Sequence, residues 1–110
     1  MDMEVLLVML KQALEIVTDF MDTESKASKN LELTQYLQAA IPMIEREGIH
    51  LIPENIDDRF LVVMYAMWLY DKRKTTGSKY TSYYIQNMPR MLRYNLNNRL
   101  MQEVAQRDDA

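Results

Sequence analysis

The sequence predicts an all-α fold: a small bundle of about four helices in one domain, 1–110, with a long apolar helix at its centre. Three observations predict it. Two glycines and three prolines in 110 residues are too few for an all-β chain, which turns every ~8 to 12 residues. Apolar residues recur at three- and four-residue steps through most of the chain. The stretch 60–70, FLVVMYAMWLY, is apolar on every face, the mark of a helix enclosed by others.

Taken in order, residues 4–21 read as the first helix, with Leu6, Leu10, Ala13, Val17 and Phe20 on one face. Residues 22–30, DTESKASKN, are polar and small and read as an exposed linker. Asn30 is then placed to cap a second helix running to about Glu47, whose stripe is Leu33, Leu37, Ala40, Ile41 and Ile44 and whose stop signal is Gly48. Pro42 offers no N–H and its ring crowds the carbonyl of Gln38, so a kink or break is expected near Ile41.

GIHLIPEN, 48–55, is too short and mixed for a helix and reads as extended chain before a turn. Asp57 or Asp58 begins the central helix, with carboxylates at the positive end of its dipole and Lys72, Arg73 and Lys74 at the negative end. TTGSKYTSYYIQN, 75–87, reads as a loop, after which Pro89 starts the last helix and runs it to about Val104.

That last helix, within MPRMLRYNLNNRL, is unusual. Leu92, Leu96 and Leu100 make an apolar stripe only about 80° wide. Arg90, Arg93 and Asn97 gather on one flank; Asn95, Asn98 and Arg99 fall on the other side. Three buried leucines supply roughly 1.5 to 3 kcal/mol each, whereas each ordered residue costs about 1 to 2 kcal/mol of backbone entropy. The stripe alone cannot hold the helix, so 89–110 is expected to be a docking helix and tail that a partner completes.

Composition narrows function. The apolar share of 48% and charged share of 26% are those of an ordinary globular chain. There is no cysteine, which removes disulfides, thiolate zinc sites and thiol nucleophiles. The opening MDMEVLLVML lacks the positive leader of a secretory signal, and the apolar run 60–70 is well short of the ~20 residues that span a bilayer. The net charge of −3 conceals an asymmetry: 1–60 hold five basic and twelve acidic side chains, and 61–110 hold eight and four. The two halves are suited to meet each other, within one molecule or between copies.

Parts for an enzyme are missing. His50 is the only histidine, the serines at 25, 28, 78 and 82 lack a nucleophile elbow, and the pairs Glu45/Glu47 and Asp57/Asp58 have no second histidine or phosphate loop beside them. They read as a solvated helix end and a helix cap, and no catalytic, cofactor or metal site is expected. Nucleic acid is a stronger alternative. From Asp71 to Arg99 seven basic residues face one acid and are interleaved with Tyr80, Tyr83, Tyr84 and Tyr94, on which bases can stack. Against it stand an acidic whole, pI near 5.1, and no helix-turn-helix signature. Ten methionines suit surfaces that repack against partners: Met64, Met67 and Trp68 fit a core or interface, whereas Met88, Met91 and Met101 fit a docking face.

The order DDRFLVVMYAMWLYDKRK, polar loop, MPRMLRYNLNNRL resembles the small head–tail connector, or adaptor, proteins of long-tailed bacteriophages. The likeness covers 57–101, and 31–47 is similar to the family's earlier helix in pattern. It implies a non-catalytic subunit that forms a homo-oligomeric ring beneath the portal protein, extends the DNA channel without sequence-specific binding, and receives a tail-side stopper or completion protein. It implies a place at the head–tail interface of the virion, with the host cytoplasm as the site of assembly, and no membrane. The residues it marks for portal or subunit contact are Arg90, Arg93, Tyr94, Asn97 and Met101 on the last helix, with Lys72, Arg73, Lys74, Tyr83 and Tyr84 before it. The runner-up is a nucleic-acid-binding helical module acting in phage DNA packaging.

Overall fold

The computed structural model describes residues 1–73 and 88–108, with side chains through 72 and from 88 to 106. Among the described residues there are four α-helices and no strand: α1 Met3–Leu14, α2 Thr23–Glu45, α3 Ile56–Arg73 and α4 Arg90–Asp108. Residues 75–87, which the sequence reads as a loop, and the side chain of Arg73 lie outside that set.

The first helix opens on Asp2, whose carboxylate accepts the Glu4 N–H at 3.0 Å, and ends seven residues earlier than its apolar pattern suggests. Glu15 adopts the left-handed conformation at φ 57°. Its N–H bonds the Gln12 carbonyl at 3.2 Å and the Ile16 N–H bonds that of Lys11 at 2.9 Å, the paired closure that satisfies a helix's last carbonyls. The β-branched run Ile16, Val17, Thr18 lies beyond this cap, with Thr18 buried and bonded by Lys11 Nζ at 3.3 Å.

The expected linker at 22–30 is helix. Asp22 caps α2 by accepting the Ser25 N–H at 2.6 Å, an interaction that holds its carboxyl below the usual range, through the backbone hydrogen bond first and the hydroxyl of Ser25 second. Residues 23–28 are polar because they are exposed, not because the chain is irregular there. Asn30 consequently lies inside the helix, where its carbonyl accepts the Thr34 hydroxyl at 2.7 Å. Pro42 does not break α2 either. It sits on the exposed side within the last turn, where water can take the place of the missing donor to Gln38, and its own carbonyl accepts the Arg46 N–H at 3.0 Å.

Gly48, at φ 102°, turns the chain into 49–52, where Ile49 and Leu51 are buried and His50 and Ile52 exposed. Asn55 Oδ1 accepts the Asp57 N–H at 2.9 Å, so Asn55 rather than either aspartate caps α3. This helix is the hub: α1, α2 and α4 all pack on it. Leu61, Val62, Val63, Tyr65, Ala66 and Tyr70 join Leu6, Leu10, Leu33, Leu37, Ala40 and Ile44 in one core. Met64, Met67 and Trp68 line its edge, partly buried, and Phe60 remains half exposed. Tyr70 packs edge-on to Tyr36 and takes the Lys29 ammonium on its hydroxyl at 2.9 Å.

Candidate interaction surface on the C-terminal helix

The last helix begins at Arg90, with Pro89 as the preceding cap whose carbonyl accepts the Arg93 N–H at 3.0 Å. It runs antiparallel to α3, since Arg99 meets Asp58 while Asn95 lies against Met64. Leu92 and Leu96 are buried, and Leu100 partly so. The fourth member of the buried face is Arg99, only 8% exposed. On a 100° wheel it falls about 20° beyond Leu92, at the edge of the apolar stripe, and the packing on α3 covers it.

Four hydrogen bonds to three acceptor groups make that burial possible. Arg99 Nε reaches Asp58 Oδ1 at 2.8 Å and Nη2 reaches Oδ2 at 3.3 Å, a bidentate pair. Nη2 also donates to the His50 carbonyl at 2.6 Å and Nη1 to Glu103 Oε2 at 2.8 Å. Asp58, fully buried, further accepts the Ile52 N–H at 2.8 Å. The guanidinium's pKa is pushed above its ordinary value, chiefly by the hydrogen bonds it donates to Asp58, with burial opposing and Glu103 reinforcing. This network ties α4 to the start of α3 and to the segment between α2 and α3.

A second ion pair joins Arg93 to Glu47, on a half-exposed edge. It also acts on a neighbour: the Tyr65 phenol is pushed up by burial first and by the charge of Glu47 next, with Arg93 opposing. Beside the narrow leucine stripe, Glu47, Asp58 and the His50 carbonyl therefore give α4 polar anchors within the chain.

The opposite face has other chemistry. Met91, Tyr94 and Met101 are 64%, 62% and 69% exposed, and Asn97, Asn98 and Gln102 are exposed beside them. Between positions 91 and 106 the only charged residues are Arg93, Arg99 and Glu103, and all three are in intramolecular ion pairs. Beyond Arg90, the outer surface is thus mainly amide, thioether and phenol. Next to it, a groove of about 310 Å³ runs between α3 and α4, lined by Phe60, Met64, Asn95, Asn98 and Gln102 with Asp57 at its rim.

Of the residues marked from the sequence, Arg90, Tyr94, Asn97 and Met101 share this exposed face. Arg93 stands at its border with its guanidinium engaged. Lys72 lies apart, at the end of α3, with its ammonium 5.1 Å from the Trp68 ring centre. Lys74, Tyr83 and Tyr84 fall outside the described residues, as does the Arg73 side chain. The sequence reading missed Asn98, and it missed Asp58, Arg99 and Glu103 as a unit. The i,i+4 spacing of Arg99 and Glu103 was the one local signal for that unit.

Among the described residues, no group of three or more His, Cys, Asp or Glu is placed to hold a metal ion, and no helix is long and apolar enough to cross a membrane. Compared with family models, curated proteins and solved structures, the chain matches none.

Proposed function

We propose that this chain is a structural subunit of a head–tail connector, assembling into a ring between a phage portal and a tail-side stopper or completion protein, with DNA passing through the channel. The observation that carries the reading is the outer face of α4. A helix surface that keeps Met91, Tyr94 and Met101 in water, with Arg93, Arg99 and Glu103 engaged within the chain and Arg90 exposed at its first residue, has the composition of an interface core, low in charge and enriched in methionine and tyrosine. Arg90 alone gives it a weak hold on phosphates, which are gripped by several exposed cations together. The resemblance of 57–101 to the connector family supplies the identity of the partners.

Native mass spectrometry of the purified chain, alone and with the portal, tests this. A ring, or a stoichiometric complex with the portal, is expected without added DNA. A chain that stays monomeric with the portal present, and instead retains DNA or RNA with a steep salt dependence, would replace the connector with the nucleic-acid-binding module.

A further inference from the structure

Two helices of this chain present exposed stripes with the same spacing and the same order of chemistry. On α1, Val5, Val8 and Gln12 are exposed and turned away from the buried Leu6 and Leu10. On α4, Met91, Tyr94 and Asn98 are exposed and turned away from Leu92 and Leu96. Both read apolar, apolar, amide at steps of three and then four, the spacing that keeps two helices facing each other along a seam. Neither stripe contains a charge. Both helices pack on α3 by their opposite faces, so one molecule cannot lay its own α1 stripe on its own α4 stripe.

The surroundings of the two stripes differ in sign. Residues 1–15 carry Asp2, Glu4 and Glu15 against Lys11, a side-chain charge of −2. Among the described side chains of 90–106, Arg93, Arg99 and Glu103 are engaged in ion pairs within the chain, and Arg90, exposed just before Met91, supplies a positive charge outside them. A second α4 offers Arg90 no opposite charge, whereas the acidic start of α1, Asp2 and Glu4, attracts it.

We infer that α1 of one copy packs in parallel along α4 of the next, with Val5 against Met91, Val8 against Tyr94 and Gln12 beside Asn98. The amide layer sets the register, because a slip of one step would bury an amide against an apolar side chain without a partner. Using two different faces per subunit makes the contact head-to-tail, and such contacts close into a ring or run on as a filament. The inference rests on the ring-forming reading above and names the two faces that would build the ring.

The chain has no cysteine of its own, so introduced thiols report only the contact they are placed in. Val8→Cys and Tyr94→Cys, both at exposed positions, are purified separately, checked for unchanged helical content, and oxidised alone and mixed. The mixture is expected to form disulfide-linked dimer at least ~10-fold faster than either variant alone, a difference of about 1.4 kcal/mol in barrier. The double variant Val8→Cys with Tyr94→Cys is expected to give a ladder of covalent multimers that collapses on reduction. Val8→Cys mixed with Met101→Cys, one heptad out of register, is expected to remain at the level of the single variants.

Equal cross-linking in and out of register, or homodimers of one variant forming as fast as the mixed pair, would overturn the assignment. Rings of the unmodified chain without a ladder from the double variant would overturn these faces and leave the ring reading standing. A ladder from a chain that binds no portal would keep this contact and remove the connector reading.

Discussion

The two flanks of α3 are held by opposite chemistry. Toward α1 and α2 the contact is a run of Leu, Ile, Val and Ala side chains with less than a tenth of their surface exposed. Toward α4 it is two leucines followed by an arginine held by a buried aspartate, a backbone carbonyl and a glutamate. Apolar packing is tolerant of exchange and roughly proportional to area. A buried ion pair adds little net stability over apolar residues of similar volume, yet it penalises any arrangement that leaves a partner unpaired. The contrast suggests a division of labour in which the apolar flank supplies stability and the ionic flank supplies placement. It also leaves the outside of α4 low in charge, with Arg90 exposed and Arg93 and Arg99 already engaged.

The strongest way to break that contrast is Asp58→Ala. It takes the shared acceptor from Arg99 and from the Ile52 N–H, and a loss of about 3 to 5 kcal/mol is expected, read by urea denaturation, with amide exchange accelerating first in 90–106. Pairing Asp58→Leu with Arg99→Met sharpens the comparison: stability within about 1 kcal/mol of the parent is expected, with α4 less uniquely placed. A double variant as unstable as the single would show that the network contributes stability in its own right. On the apolar flank, Leu37→Ala should cost about 2 to 5 kcal/mol through the cavity it leaves, and protection should fall in α1, α2 and α3 together rather than in α4 first.

Smaller effects separate the edge from the interior. Arg93→Ala removes a half-exposed pair with Glu47 and is expected to cost at most about 1 kcal/mol, shrinking further in molar salt. A loss as large as that of Asp58→Ala would mean that the edge, not the interior, positions α4. The smallest effect is on pH dependence. The pKa of Tyr65 is raised by burial and by Glu47, so its contribution is present below about pH 10, the ordinary tyrosine value, and is lost as pH rises through the folded value. Tyr65→Phe is expected to flatten the alkaline limb of a stability–pH curve and leave stability at neutral pH little changed, provided the hydroxyl's removal strands no partner.

How much of this was legible beforehand varies by residue. The stripe Leu33, Leu37, Ala40, Ile44 and the apolar run of α3 were legible, because periodic burial leaves a periodic sequence. The polar start of α2 was not: a helix that projects past its core loses the apolar half of its pattern, and a solvated helix then has the composition of a linker. The cap at Asp22 was the signal available, an acidic residue followed by Thr, Glu and Ser. The early end of α1 was hidden for the converse reason, since Val17 and Phe20 continue a helical spacing into a turn where both are exposed.

The sequence by itself determined that the chain is helical, where its leucines face, and that the apolar helix 60–70 lies at the centre. Only the tertiary structure decided that Arg99 is inside. Its wheel position permits burial, but a guanidinium enters the interior only where acceptors meet it. Asp58 stands 41 residues away in the chain and the His50 carbonyl 49 away. No local pattern places those acceptors beside Arg99; the packing of α4 on α3 does.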